Sequence, residues 1–306
     1  MLCYTTGNGY AYCGDSLKLI PEILEDNSVD LLFSSPPYPL IIQKEYGNVN
    51  QEVYVEWFFR YIEVILPKLK KTGSLVLDFG NTWVKGMPAF NIYQFRVLLK
   101  LVDEYGLYLA CPMYWYNPSR MPLPAAYTAK YKIRPKDNID NVWWLTKDPE
   151  KCKADCTQVL VPYSKSMRKY FRKHRRDKEP SWKRYEGALP SNLLEIPNTN
   201  NRTKYHLACR KIQVKGQPSI MPEKLPEFFI KMLTEEQDLV VDIFAGSNTT
   251  GSIADHLNRK FITFEQRRDY VAMSAFRFLN DLENARTVYD IITSRDDELP
   301  LDLTQY

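Results

Sequence analysis

Two short stretches, far apart in the chain, carry residue types and spacings that chemistry can use. Ser35-Pro36-Pro37-Tyr38 follows an apolar run with strand character and so falls at the carboxyl end of a strand, where open α/β sheets place their ligands. Consecutive prolines fix φ and present carbonyls without competing N–H groups. Such a loop can hold acceptors still around an amino group, and Tyr38 offers a flat face for stacking. Taken alone, the tetrapeptide reads more readily as a proline-stiffened turn with a packed tyrosine. The second stretch, residues 239–251, runs strand, glycine turn, helix start, and can bring backbone close to a cofactor. A P-loop would need Lys after the second glycine of its GxxxxG, but Gly251 is followed by Ser252. The dinucleotide pattern GxGxxG fails because Asn248 stands where a glycine is required. What remains is Asp242 at one strand end and Glu265 at the next, one strand–helix–strand unit on, where a ribose-binding acid belongs. A nucleoside cofactor without a polyphosphate fits this better than NAD or ATP.

The elements that must position these loops alternate short apolar runs with amphipathic stretches, the pattern of a mostly parallel sheet covered by helices. Strands are expected over 11–13, 29–34, 74–79, 107–115, 142–145, 239–244 and 260–264, and helices over 52–66, 92–105, 225–233, 249–257 and 268–278. The runs 107–115 and 142–145 have no helical pattern between them, so they are expected as antiparallel neighbours. From about residue 148 to 216 the text turns polar and basic, rich in Pro, Asn, Tyr and Lys, with weak periodicity. The expected organisation is a catalytic domain of residues 1–148 and 216–306, interrupted by a small lobe of residues 149–215.

The chain has 306 residues and a net charge of +4, unevenly spread. Residues 165–184 hold ten Lys/Arg against two acids, a local net of +8, so the remainder carries −4. Clustered cations suit a polyanion, because phosphate contacts need them; a solvated helix face is an equal alternative on charge alone. No apolar run approaches a membrane span and the first dozen residues lack signal-peptide regions, so a cytoplasmic protein without a membrane partner is expected. The six cysteines form no CxxC pair and the three histidines share no ligand spacing, so no metal is expected.

Together the two loops are far more specific than either alone, and with them the chain resembles the amino-methyltransferases of DNA. The likeness is strongest to the PvuII-type cytosine-N4 methyltransferases, with the catalytic loop first and the cofactor loop last. It rests on residues 12–17 (YCGDSL), 34–38 (SSPPY), 44–48 (KEYGN), 142–145 (VWWL), 221–230 (MPEKLPEFFI), 242–251 (DIFAGSNTTG) and 267–279 (RRDYVAMSAFRFL). The resemblance implies a seven-stranded, mostly parallel, Rossmann-like sheet with one reversed strand and helices on both faces. It implies S-adenosylmethionine as cofactor, with Asp242, Phe244, Gly246, Ser247 and Thr249 near its methionine and sulfonium part. Glu265 would take the ribose hydroxyls, Asp15 would face the adenine, and the segment 221–233, with Pro222 among the cofactor contacts, would close over the methionine tail. The family often has His-Pro shortly before that segment, whereas this chain has Gln217-Pro218, which puts one detail of cofactor contact in doubt.

The implied substrate is a cytosine in double-stranded DNA, flipped out of the stack. The catalytic set would be Ser35, Pro36, Pro37 and Tyr38, with Asp78 as proton acceptor through Ser35; Asp78 reads equally well as a turn cap. Arg168, Arg172, Arg175 and Arg176 are the candidate phosphate contacts. A restriction endonuclease acting on the same site, without stable complex, is the further partner that the resemblance implies. Three rivals stay open: adenine N6 as target, since adenine enzymes of the group mostly carry Asp where Ser35 stands; methylation of RNA or a protein amide; and a non-catalytic DNA-binding protein on the same fold.

Overall fold

The computed structural model describes residues 1–41, 47–173, 187–294 and 299–306. Among them the strands are β1 (Leu2–Thr5), β2 (Gly9–Cys13), β3 (Val29–Ser34), β4 (Leu69–Phe79), β5 (Thr82–Trp83), β6 (Phe90–Asn91), β7 (Tyr108–Tyr116), β8 (Ile139–Thr146), β9 (Leu193–Glu195), β10 (Leu239–Asp242), β11 (Lys260–Glu265) and β12 (Leu301–Asp302). The helices are α1 (Ser16–Ile23), α2 (Tyr54–Ile65), α3 (Tyr93–Asp103), α4 (Lys165–Lys173), α5 (Lys204–Lys211), α6 (Lys224–Leu233), α7 (Thr249–His256), α8 (Arg268–Ser274) and α9 (Ala285–Ser294).

All strands but the β5–β6 hairpin join one sheet in the order β12-β1-β2-β11-β10-β3-β4-β8-β7-β9. Its central seven, from β2 to β7, are parallel except for β8, which runs antiparallel to both β4 and β7. That is the expected seven-stranded sheet with one reversed strand. Three edge strands, β1, β9 and β12, extend it to ten; they are two to four residues long, too short to show a period in sequence.

Alternation along the central strands builds two separate cores. Leu32 of β3, Leu75 and Leu77 of β4 and Val241 of β10 face α1, α2 and α3. Leu31, Phe33, Val76 and Val240 point the other way, against α6. Helices on both faces explain why every residue of β3 is buried, with Asp30 the one charge, paired with Lys70 at 2.7 Å. A third cluster joins α5, α8 and α9 at the β1–β2 edge.

Residues 149–215 do not all stand apart from this body. Strand β9 pairs in parallel with β7, and α5 buries Tyr205, Ala208 and Cys209 in the third core. Trp115 Nε1 donates to the Ile196 carbonyl at 2.9 Å, and Asn198 Nδ2 donates to the Ile220 carbonyl at 2.8 Å, so the chain after β9 is strapped to the sheet. The start of the stretch is tied to the body as well, Lys153 N donating to the Thr72 carbonyl at 2.9 Å and Asp155 N to the Met232 carbonyl at 2.7 Å; α4 projects, none of its residues being buried.

Candidate active site

Strand β10 is followed by α7 and β11 on one side, and β3 by α2 and β4 on the other. The chain order therefore reverses between β10 and β3, and a crevice opens outside their carboxyl ends, where such sheets bind ligands. The two loops singled out in the sequence both emerge here. Ser34 Oγ donates to Asp242 Oδ1 at 2.6 Å, joining their roots, and a cavity of about 940 Å³ separates them.

On the β3 side, Ser35, Pro36, Pro37, Tyr38 and Asp78 all line the cavity. Asp78 is the second-last residue of β4 and lies beside β3 because the two strands pair in parallel, Ser34 opposite Leu77. Ser35 Oγ donates to Asp78 Oδ2 at 3.1 Å and Tyr38 OH donates to the same oxygen at 3.2 Å, with 3.1 Å between the two hydroxyls. Asp78 Oδ1 is buried with no hydrogen-bond partner among the described residues. Asp78 therefore is no turn cap. Burial, then the negative charge of Asp140, raises its pKa to about 7, against the hydrogen bonds of Ser35 and Tyr38 and the charge of Arg120. The Tyr38 ring seats against Gly80, where a Cβ would fall 2.3 Å from Cε2. Burial pushes its hydroxyl well above the usual tyrosine range, so it remains a donor.

On the β10 side the structure redistributes the expected roles. Phe244, Ser247, Thr249, Glu265 and Pro222 line the cavity; Asp242, Gly246 and Asp15 do not. Both oxygens of Asp242 are already committed, accepting from Ser34 Oγ, Phe244 N and Thr250 Oγ1 at 2.6–3.1 Å. It shapes the loop from behind. Asp15 caps α1, accepting from Leu17 N at 3.1 Å, and it is Ser16 that reaches the cavity. Gly246 has φ +51°, and a Cβ there would meet the Gln217 amide at 2.3 Å, so glycine is needed both for the left-handed turn and for the approach of Gln217. That places the Gln217-Pro218 departure from the family pattern against the glycine turn. Each oxygen of Glu265 accepts one backbone N–H, from Gly246 and Arg267, both at 2.9 Å, which fixes the carboxylate and leaves lone pairs toward the cavity. Burial raises its pKa, against those two bonds.

Four participants went unread in the sequence. Trp57 and Tyr61, one turn apart on α2, line the cavity, with ring centroids 5.7 and 4.7 Å from Phe244; their i,i+4 spacing was the available signal. Arg277, buried and over the Tyr205 ring, donates to the Ser247 carbonyl at 2.7 Å, to Thr249 Oγ1 at 2.9 Å and to Glu223 at 3.0 Å. Arg120 lines the cavity near Asp78, its guanidinium forked onto buried Asp140, with Nη1 to Oδ1 at 2.8 Å. Arg277 lies in the 267–279 stretch that resembles the family, but no role was read for it, and nothing local marks Arg120, because the partners of both come from other elements.

The candidate DNA contacts lie away from this crevice. Arg168 and Arg172 are exposed on α4, one turn apart. Arg175 and Arg176 fall outside the described residues, as does most of the 44–48 motif. Among the described residues no His/Cys/Asp/Glu group could hold a metal, and no helix is long and apolar enough to cross a membrane.

Comparison with known proteins agrees with this geometry. The profile of a DNA methylase family matches residues 29–276. The type II methyltransferase M.PvuII of Proteus hauseri is 46% identical over 300 residues, 94% of this chain and 89% of that protein. A solved structure named as the PvuII DNA methyltransferase (cytosine-N4-specific) superposes with a TM-score of 0.81 at 43% identity, covering 98% of this chain and 96% of that one. The M1.HpyAVI–SAM complex shares the fold, with a TM-score of 0.52 at 18% identity over 88% of this chain and 98% of that one. With residues 29–276 matched and nearly all of its length covered by such a relative, the chain belongs to the N6/N4 DNA methylase family.

Proposed function

We propose that this protein transfers a methyl group from S-adenosylmethionine to N4 of a cytosine flipped out of duplex DNA, as the modification enzyme of a restriction–modification pair. Membership of the family supports the class of reaction, and the cytosine-N4 specificity of the PvuII enzyme at 43% identity supports the target. The observation that carries the reading is the Ser35–Tyr38–Asp78 cluster facing the glycine turn across one crevice.

The crevice fits the cofactor. Phe244, Trp57 and Tyr61 form an aromatic wall suited to a flat heterocycle, and Glu265 can accept from ribose hydroxyls. Arg277 holds Ser247 and Thr249 at the end where the methionine part belongs. When bound, S-adenosylmethionine supplies a methyl group on a sulfonium centre, open to in-line displacement.

The rest falls to the protein. An exocyclic amine is a poor nucleophile because its lone pair is delocalised into the ring. Ser35 gives its own hydrogen to Asp78, so its oxygen can accept from the amine; the Pro36 carbonyl is the second acceptor. Together they draw the amine hydrogens out of the ring plane and aim the lone pair. Positioning of this kind can lower a barrier by about 7–11 kcal/mol. The proton released on methylation passes to Ser35 as the serine proton passes to Asp78, whose raised pKa suits a general base near neutrality. Tyr38 contributes a ring for the flipped base, offsetting part of an extrusion cost of a few kcal/mol. The projecting part of residues 149–215, with Arg168 and Arg172 on α4 and with Arg175 and Arg176, holds phosphates and presents the residues that read the site.

The test is to express the protein in a host lacking modification, digest its DNA to nucleosides and identify the product. N4-methylcytosine is expected. N6-methyladenine would move the target to adenine, and unmodified DNA together with no cofactor binding in calorimetry would leave only a DNA-binding protein on this fold.

A further inference from the structure

Between β7 and β8 the chain makes a long projecting connection, residues 117–138, in place of a tight hairpin. Its base is anchored at the active site: Arg120 lines the crevice and is forked onto buried Asp140. Its tip is stiff. Pro118, Pro122 and Pro124 restrict the backbone, and Thr128 Oγ1 lies 2.7 and 2.9 Å from the Pro122 and Pro124 carbonyls, closing the turn. On this tip Met121 is 68% and Leu123 61% exposed, and Tyr131 and Ile133 are exposed beside them. The connection holds five basic side chains and one acidic one, Asp137, which accepts from Asn81 Nδ2 at 2.9 Å. Among the described residues only Arg120 of the five is paired with a carboxylate.

Large apolar side chains held rigidly in water mark an interaction site. Cations around them that no carboxylate neutralises select a partner that is anionic outside and apolar within. Duplex DNA has that character, with phosphates at its surface and base faces inside the stack, and apolar wedges between base steps are an established means of unstacking it. The position agrees, since the tip begins one residue beyond a side chain that lines the cavity where the base must arrive. We propose that Met121 and Leu123 form a wedge that enters the duplex beside the target and fills the gap left when the base leaves the stack. Lys130, Lys132, Arg134 and Lys136 hold the adjoining backbone. This rests on the methylation of a flipped base proposed above.

A wedge is needed only when there is a stacked pair to open. Two duplexes carrying one mapped target site separate its role from a structural one: in the first the target cytosine is paired with guanine, in the second it lies opposite an abasic site. The Met121→Ala/Leu123→Ala double variant should lose about 10- to 100-fold in kcat/KM on the paired duplex, the fold-change equivalent of a few kcal/mol of unstacking. On the abasic duplex it should lose less than about threefold, with S-adenosylmethionine affinity by calorimetry unchanged. An equal loss on both duplexes, or no loss on the paired one, overturns the wedge. So does a dimer of the parent protein in sedimentation that the double variant dissolves without change in turnover, which would give the patch to a second copy. Failure of the parent protein to methylate either duplex would instead sink the base-methylation reading and the wedge with it.

Discussion

Asp78 shows how much one buried carboxylate can set at a site. With one oxygen bonded by Ser35 and Tyr38 and the other without a partner among the described residues, it holds its proton to about pH 7, chiefly because burial penalises its charge. Only the ionised form can accept the proton relayed by Ser35, so kcat should rise about tenfold per pH unit below 7 and level off above it. Asp78→Asn should remove that rise and lower kcat by about 10²–10⁴ with little change in KM, measured by steady-state methylation from pH 5.5 to 8.5. The same shift has a stability consequence of opposite sense to that of a salt-bridged acid. A folded-state pKa raised above the unfolded value means that the folded protein binds the proton more tightly. The group's stabilising contribution is thus full below about pH 4 and lost as pH rises toward 7. Urea unfolding should show Asp78→Asn gaining on the parent protein between pH 5 and pH 7; a difference independent of pH would mean that Asp78 is not shifted. The sequence pointed to Asp78 through its place at a strand end, but its pKa depends on Asp140 and Arg120, which strand β8 and the connection before it bring alongside.

At the scale of elements, the glycine turn after β10 is held from several directions. Asp242 anchors it beneath, Glu265 of β11 takes the Gly246 amide, and Arg277, just beyond α8, binds Ser247 and Thr249 while reaching Glu223 before α6. Asp242 carried an expected cofactor role in sequence, yet its oxygens are taken by Ser34, Phe244 and Thr250, whereas Arg277, in the 267–279 motif but given no role there, ties three segments together. Replacing Arg277 with Met strips several hydrogen bonds to a charged donor. It should lower stability by about 2–3 kcal/mol, seen in the urea midpoint, and weaken S-adenosylmethionine binding at least tenfold in calorimetry, a loss of about 1.4 kcal/mol or more. Unchanged affinity would mean that the turn keeps its shape without this clamp. The helices α2, α3 and α6 were legible because each has one apolar stripe, and α7 because it follows a glycine turn. Strands β1, β9 and β12 were not, because a two- to four-residue strand exists only through its neighbour.

Across the whole molecule, charge and chemistry are divided between regions. The crevice holds the buried carboxylates, α4 stands exposed with its arginines, and the connection after β7 holds a second cluster of cations. Neutralising Arg168, Arg172, Arg175 and Arg176 together should weaken DNA binding. It should also reduce the slope of log K against log salt by about 0.9 for each phosphate that the protein no longer neutralises. An unchanged slope in a salt titration would remove this region from the interface. The split of the chain into a body and a lobe was drawn in sequence from a change in composition. Pairing of β9 with β7 and burial of α5 return the later part of that stretch to the body, since polar composition does not reveal that three residues complete a sheet edge.

By itself the amino-acid sequence determined the order of the main strands and helices, the reversed hairpin at β7–β8 and the two loops on which the chemistry depends. These follow from local periodicity and from prolines and glycines whose backbone preferences travel with them. Only the tertiary structure decided that Asp242 and Asp15 support loops and helix ends, that Trp57 and Tyr61 join Phe244 and Glu265 at the cavity, and that Arg120 and Arg277 line it. Those outcomes depend on which side of a strand end meets which neighbour across about 200 residues of chain, as Ser34 meets Asp242, and no local pattern encodes that encounter.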